Sequence, residues 1–316
     1  MRFINTFADG VQVKDIYLVR KVSILQTKAG RTYWSVTLQD KTGSVEAKVW
    51  EPDSPGIEEF EPMDYVYVGG EVTIFNNANQ LNIRQARKAK QGEYDPSDYL
   101  PCSEQDPEDM YAELKRLIDS VQAPYMKQLL LHFFDDEDFK NEFCFHSAAK
   151  SVHHGFVGGL LEHTLSVAKV CSYFSKHYPF LDRDLLLTAA ICHDIGKLRE
   201  LTPYPNNDYT DEGQLIGHIM IGARMVEDAI RDIPDFPEVR ANELIHCILA
   251  HHGELEFGSP KKPAICEAMA LSFADNVDAK METMKEAIYG QPGNTLAWKG
   301  FNKYLDSNIR GTTKEV

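Results

Sequence analysis

The sequence predicts a multi-domain chain in which an all-β N-terminal barrel is followed by an all-α domain. Three observations carry this expectation. Apolar residues recur with a period near two through residues 13–89, then every three or four positions beyond residue 107. Between these regimes lies "KQGEYDPSDYLPCSEQDPED" (90–109), rich in turn-forming residues and without periodicity. The chain has 316 residues and is 43% apolar, enough for two separate cores. The expected boundaries are 1–92 for the barrel, 93–108 for a linker and 109–316 for the helical domain.

The barrel is read strand by strand. "TYWSVTLQD" (32–40) and "SVEAKVW" (44–50) flank the turn "KTG", a hairpin signal. "DYVYVGGEVTIFNN" (64–77) and "QLNIRQARKA" (80–89) repeat the pattern around "NAN". Gly69-Gly70 within a strand marks a bulge or a sharp bend. "EPDSPGIEEFEP" (51–62) interrupts the strands with at most one helical turn. Five strands, the first long and the fourth preceded by an insertion, suit a small Greek-key barrel of OB type.

Its aromatics and cations bear on partners. Tyr33, Trp34, Trp50 and Phe75 are interspersed with Arg20, Lys21, Lys28, Arg31, Lys48, Arg84, Arg87 and Lys88. Rings that stack bases beside cations that track phosphates are how OB barrels hold single strands. Taken singly, Trp34 and Trp50 also suit the barrel core. For the surface as a whole, Tyr33, Trp50, Arg84 and Arg87 are the expected substrate-binding residues.

In the second regime, "DPEDMYAELKRLIDSV" starts with an Asp cap and a proline in the first turn. Long helices follow over 159–178, 183–195, 213–232, 237–252 and 262–288. Gly253 fits a helix C-cap, and "NIRGTTKEV" at the end reads as a frayed tail.

Composition narrows the function classes. No run of about 18 apolar residues suggests a membrane span, and the start lacks the apolar core of a signal peptide. Six scattered cysteines without a CxxC pair read as reduced thiols of a cytoplasmic protein. Net charge is −15, which argues against a simple basic nucleic-acid binder. That charge is uneven: residues 1–95 hold 12 Lys+Arg and 13 Asp+Glu, the remainder 21 and 35.

The chemistry concentrates in the helical part. "AAICHDIGKL" (189–198) puts His193 and Asp194 into an otherwise apolar helix. Burying both costs several kcal/mol, on the order of the penalty for an unpaired polar group, unless something compensates them. A metal would. His163 in "GGLLEHTLSV", His218 in "GQLIGHIMIGARMV", His251 and His252 in "ILAHHGE", and Asp275 in "ALSFADNVDAK" occupy four further helical segments. Facing helices that each contribute one or two inward side chains are how helical proteins build metal sites. Taken alone, Cys192 reads as a small packing residue, and His132, His146, His177 and His246 as ordinary core or surface histidines.

The order His, His-Asp, His, His-His, Asp resembles the HD-domain phosphohydrolase superfamily, and "HDIGK" is close to its commonest motif. The resemblance implies roles residue by residue. His163, His193, Asp194 and Asp275 match the set that holds a first metal. His218 and one of the 251–252 pair match the extra histidines of the dinuclear branch, with Asp194 bridging the ions. His251 is the preferred ligand, with His252 a further ligand, a supporting group or a substrate contact. Some dinuclear relatives carry a Glu four residues before the first His; Gly159 stands there in this chain. Two cations roughly 3.5–4 Å apart acidify a bridging water and screen a phosphodiester's charge. Mixed imidazole and carboxylate donors suit Mn²⁺, Fe²⁺, Co²⁺ or Zn²⁺, whereas an all-oxygen set would suit Mg²⁺. Lys197, one turn after His193, reads either as a catalytic cation for a phosphate oxygen or as a solvent-exposed lysine. Lys150, His153 and His154 are candidates for contacting the arriving substrate, and Asn206, Asn207 and Asp208 for a loop over the site.

Barrel, short linker and helical domain with "HHGFVGGLLEHTLSV" in this order resemble the YhaM-type bacterial 3′-to-5′ exoribonucleases along the whole chain. This implies release of nucleoside 5′-monophosphates from single-stranded RNA, and to some extent DNA, with Mn²⁺ or a similar ion. Exonucleases often enclose their strand between subunits or domains, and an acidic helical surface repels RNA, so a homo-oligomer whose barrels guard the active sites is expected. Two alternatives stay open. One is a hydrolase of small nucleotides or cyclic dinucleotides; the other is a nucleic-acid-binding regulatory protein with a structural metal.

Overall fold

The computed structural model describes residues 1–76, 78–90, 92–100, 102–150, 154–290 and 294–313. The chain divides into two compact units, Met1–Pro101 and Cys102–Val316.

Five strands close the first unit: β1 (Gln12–Gln26), β2 (Thr32–Asp40), β3 (Gly43–Val49), β4 (Tyr65–Phe75) and β5 (Ala78–Lys88). Their order around the barrel is β1-β2-β3-β5-β4, with β4 returning to β1. The long β1 serves two neighbours, β4 along its first half and β2 along its second, and shifts register between Val19 and Lys21. β3 and β5 pair in parallel, and every other pair is antiparallel. This is the five-stranded Greek-key arrangement expected of an OB barrel. The bulge expected at Gly69-Gly70 is present, and a Cβ on Gly70 would lie 2.3 Å from the Asn82 carbonyl oxygen. Alternating residues such as Val36, Leu38, Val66, Val68 and Leu81 fill the interior.

The barrel unit runs past the expected boundary at residue 92. Tyr94 stacks on Tyr65 with centroids 3.8 Å apart, and the Tyr99 carbonyl accepts a bond from Gln39 Nε2 at 3.0 Å. Tyr99 and Leu100 are buried. Aromatic packing therefore draws much of the expected linker onto the barrel, because those rings lose water only by lying against it.

The second unit contains α1 (Pro107–Asp119), α2 (Pro124–Phe134), α3 (Glu137–Phe145), α4 (Gly159–His177), α5 (Arg183–Cys192), α6 (Lys197–Glu200), α7 (Asp211–Ile216), α8 (His218–Arg231), α9 (Glu238–Ala250) and α10 (Cys266–Tyr289). A small hairpin, β6 (Phe301–Asn302) and β7 (Ser307–Asn308), follows. Asp106 caps α1 through Glu108 and Asp109 N–H, with Pro107 in the first turn, as expected. α5 is buried from Leu185 to Cys192 because α2, α4, α9 and α10 all pack on it. That explains its unbroken apolar run. Among the described residues no helix is long and apolar enough to cross a membrane.

Two expected helices end differently. The helix expected over 183–195 stops at Cys192, so His193 and Asp194 stand at its C-terminal end rather than inside it. The helix expected over 213–232 is broken at Gly217, whose φ of 78° and ψ of 152° suit glycine alone.

Candidate metal centre

Each candidate ligand is delivered by a different helix end or face. His163 lies in the second turn of α4, His193 and Asp194 follow α5, His218 opens α8, His251 and His252 follow α9, and Asp275 lies within α10. All are buried or nearly so, with His193, Asp194, His163 and His251 at most 3% exposed.

The side chains form two lobes that share Asp194. In the first, His163 Nε2 lies 3.2 Å from His193 Nε2, 3.4 Å from Asp194 Oδ2 and 3.2 Å from Asp275 Oδ1. His193 Nε2 is 3.3 Å from the same Asp194 oxygen. In the second lobe, His218 Nε2 and His251 Nε2 lie 3.6 and 3.7 Å from Asp194 Oδ1. Ligand atoms held at about 2.0–2.2 Å from one ion sit roughly 3–3.5 Å from each other. His252 joins the second lobe, its ring 4.4 Å from that of His251 and 5.3 Å from that of His218. No cysteine belongs to either cluster, and burial pushes the Cys192 thiol up to about 12.

The outer ring nitrogens show why the inner ones face inward. His193 Nδ1 donates to the Ala190 carbonyl at 2.8 Å and His251 Nδ1 to the Ile248 carbonyl at 2.7 Å. His252 Nδ1 donates to the Phe257 carbonyl at 2.8 Å, and His218 Nδ1 to Glu200 Oε1 at 2.9 Å. A carbonyl oxygen only accepts, so these Nδ1 atoms carry the protons and each Nε2 presents a lone pair. Three atoms of the second lobe, Asp194 Oδ1, His218 Nε2 and His251 Nε2, are buried without a hydrogen-bond partner among the described residues. Three acceptors turned towards one another out of water cost free energy that a cation would repay. The second lobe's donors therefore fit a divalent ion, and His163, His193 and Asp275 of the first lie close enough together to hold one.

The charges of the cluster compensate one another, because opposite charges at these distances favour each other's ionised forms. Burial works against charging the His163 ring, yet hydrogen bonds to Asp194, Asp275 and Asp278 hold its pKa well above the usual histidine value. Asp194 is opposed by burial, but Lys197 and His193 bring it well below the carboxylate range. Burial, with His252 and His193 nearby, keeps His251 well below the ordinary value and hence neutral, the form that ligates. Lys197 is no solvent-exposed lysine: its side chain is 15% exposed and Nζ lies 2.7 Å from Asp194 Oδ2. Burial lowers its pKa, the Asp194 charge outweighs that, and it stays cationic.

Two supporting carboxylates went unnoticed in the sequence. Asp278 Oδ2 accepts from His163 Nδ1 at 2.7 Å, and Ser166 donates to its other oxygen. Glu200 Oε1 accepts both the ring N–H and the backbone N–H of His218 at 2.9 Å. Spacing held a faint signal for each: Asp278 is one turn after Asp275, and Glu200 one turn after Lys197.

His154 is not at the surface; it is buried, and its Nε2 donates to Asp278 at 2.9 Å. His153 lies outside the described residues. Lys150 pairs with Asp208 at 2.6 Å. Buried Asn207 donates to the carbonyls of Ala149 and Lys150, so it ties two segments together rather than overhanging the site. A cavity of about 440 Å³ opens onto the first lobe, lined by Asp194, Lys197, His252, Phe257, Asp275 and Tyr304.

On the barrel, Trp50 is on the surface and not in the core, 48% exposed, and stacks on Tyr33 with centroids 5.0 Å apart. Its Nε1 donates to Asn82 at 2.9 Å, which fixes the ring. Trp34 packs inward, edge-on to Phe60. Lys48 lies 5.8 Å from the Tyr33 ring centre. Arg84 and Arg87 are exposed but engaged, with Glu71 at 3.0 Å and Glu93 at 2.7 Å.

Residues 160–280 match the family model described as HD domain, a span that contains every ligand candidate. Among solved structures, the chain is similar to the second OB-fold domain of replication protein A from Methanococcus maripaludis. That match has 17% identity and a TM-score of 0.24, covering 29% of this chain and 96% of that one. A replication protein A heterotrimer bound to ssDNA matches at 23% identity and TM-score 0.21, over 26% of this chain and 59% of that one. The p204 HINb domain matches at 22% identity and TM-score 0.23, over 28% and 45%. With its histidines and aspartates delivered by these helices, residues 160–280 form an HD domain, carried behind a five-stranded barrel of OB-like topology.

Proposed function

We propose that this chain is a divalent-metal-dependent exoribonuclease that removes nucleoside 5′-monophosphates from the 3′ end of single-stranded RNA, and to some extent DNA, with Mn²⁺ as the favoured ion. The carrying observation is the division of Asp194: one carboxylate oxygen faces His163 and His193, the other faces His218 and His251. A bridging carboxylate between two imidazole-rich lobes suits a pair of ions, which when bound screen a phosphodiester and acidify water.

The chain's own residues do the rest. Asp278 and Glu200 hold the rings of His163 and His218 at fixed tilt. Lys197 keeps a positive charge on the cavity wall, where a non-bridging phosphate oxygen of the substrate would rest. The stacked Tyr33–Trp50 pair beside Lys48 supports single-strand binding by the barrel, since such rings accept any base. Polarity and product follow from the resemblance of the chain's domain order to the YhaM type. Self-association belongs to the same reading: Met269, Phe273, Val277 and Met281 recur every fourth residue on α10, all exposed.

The test is to incubate the chain with Mn²⁺ and, separately, 5′-labelled oligoribonucleotide, its duplex form, or a cyclic dinucleotide. Progressive shortening of the single strand with release of 5′-monophosphates is expected. Hydrolysis of the cyclic dinucleotide alone would favour a small-nucleotide hydrolase, and tight binding without turnover a regulatory protein.

A further inference from the structure

The C-terminal segment contrasts with the acidic unit that carries it. Residues 294–313 hold Lys299, Lys303 and Arg310 against a single acid, Asp306. The frayed tail expected from the sequence is instead tied down through Gly311. Lys299 N donates to the Ile309 carbonyl at 2.9 Å, and Gly311 N to the Thr295 carbonyl at 2.8 Å. Ile309 is buried, and a Cβ on Gly311 would lie 3.3 Å from Ile288 at the end of α10. The base of the hairpin is thus ordered against the domain.

Its outer face is aromatic. Trp298, Phe301 and Tyr304 are 67%, 64% and 55% exposed. Cations accompany the rings, with Lys303 Nζ 4.8 Å from the Tyr304 centroid and Arg310 5.8 Å from that of Trp298. Tyr304 also lines the cavity that contains Asp194, Lys197 and Asp275, with exposed Lys280 and Phe257 on the same cavity.

We propose that Tyr304 is a base-stacking residue at the mouth of the metal cavity, and that this hairpin holds the last nucleotides of a single-stranded polynucleotide while their phosphates meet Lys280 and Lys303. The inference rests on the exonuclease reading and adds to the metal cavity Tyr304, with its neighbour Lys303, both beyond residues 160–280. A flat ring takes any base, and a nearby ammonium takes the phosphate, so the recognition is blind to sequence. The charge complementarity is local: a polyanion approaching an acidic domain meets its cations at the hairpin. Phe257 supplies a second exposed ring on the same cavity.

The full-length chain, with Tyr304→Ala and Tyr304→Phe variants, tests this in Mn²⁺. Three substrates are compared: an oligouridylate, the same strand with two abasic nucleotides at its 3′ end, and bis(4-nitrophenyl) phosphate. Stacking of ~1–3 kcal/mol per base corresponds, at 1.4 kcal/mol per factor of ten, to a KM for oligouridylate raised on the order of tenfold or more in Tyr304→Ala, beyond any change on the small diester. Tyr304→Phe should match the unsubstituted chain. The abasic end should cost the unsubstituted chain the same factor and the Ala variant nothing further. An unchanged KM in Tyr304→Ala, or equal sensitivity of both proteins to the abasic end, overturns the proposal and leaves the exonuclease reading intact. So does an equal loss on all substrates with a changed sedimenting mass, which would make the hairpin an assembly contact. If the unsubstituted chain cleaves the small diester but no oligouridylate, the exonuclease reading fails first, and this inference with it.

Discussion

Asp194 stands between two groups of imidazoles, with Lys197 on one of its oxygens. Its replacement should cost more than that of any other candidate ligand. Asp194→Ala is expected to abolish diester cleavage and to empty both lobes by elemental analysis, while the barrel stays folded. His218→Ala removes a donor from the second lobe alone, so roughly one ion per chain should remain, with a rate lower by orders of magnitude because the paired clamp is lost. Two ions per chain in that variant would show His218 to be misplaced. Glu200 acts through His218. Glu200→Ala should weaken binding of one ion by about 10–100-fold, and Glu200→Gln, which keeps an acceptor for the ring N–H, by less. Titration with Mn²⁺ followed by its paramagnetic signal separates the two.

The break at Gly217 sets the second lobe at the level of elements. α7 and α8 would be one helix but for this residue, and the break leaves His218 N free to bond Glu200 while its ring turns inward. An added Cβ would meet only Glu200 Oε1 at 3.9 Å, so the cost of Gly217→Ala is conformational. It should destabilise the helical unit by about 1–3 kcal/mol and weaken the second ion more than the first. A denaturant midpoint and a metal titration on the same sample check both; equal weakening of the two ions would refute the link. In the barrel, pairing of β2 with β3 brings Tyr33 and Trp50 together on the outer surface. Tyr33→Ala and Trp50→Ala should each weaken single-stranded RNA binding by ~1–3 kcal/mol per stacked base, read by fluorescence anisotropy without added metal. Full affinity in the double variant would remove the barrel face from substrate binding.

Across the whole molecule, charge and apolar surface are distributed unequally. The barrel part is near neutral, and nearly all of the −15 net charge lies beyond it. On α10, the exposed row of Met269, Phe273, Val277 and Met281 lies outside the metal-bearing face, which includes Asp275 and Asp278. If a second copy covers that row, sedimentation of the intact chain should give a multiple of its 35.8 kDa mass. Phe273→Glu should then shift it towards the monomer, because a charge in an apolar contact is left without water or a partner. A monomeric intact chain would leave the row without that role.

Sequence alone determined the two regimes, the five strands, the bulge at Gly69-Gly70 and the His193-Asp194 pair that called for a ligand. These are local properties: a period, a turn, a pair of glycines, or polar groups too costly to bury without a ligand. Tertiary structure decided what depends on residues far apart in the chain. Asp194 divides between two lobes only because α4, α8, α9 and α10 converge on the end of α5. His154 reads in the sequence as a substrate contact, yet it is buried, with Asp278, 124 positions later, accepting a hydrogen bond from its ring. Helix ends at Cys192 and Gly217 were equally out of reach. A Cβ on Gly196 would lie 2.1 Å from the His218 carbonyl oxygen, a closeness set by the packing of α6 on α8 and not by helix propensity. The anchoring of the last hairpin has the same origin: Ile309 and Gly311 bond back to Lys299 and Thr295, and Gly311 lies beside Ile288 at the end of α10, partners that folding brings near.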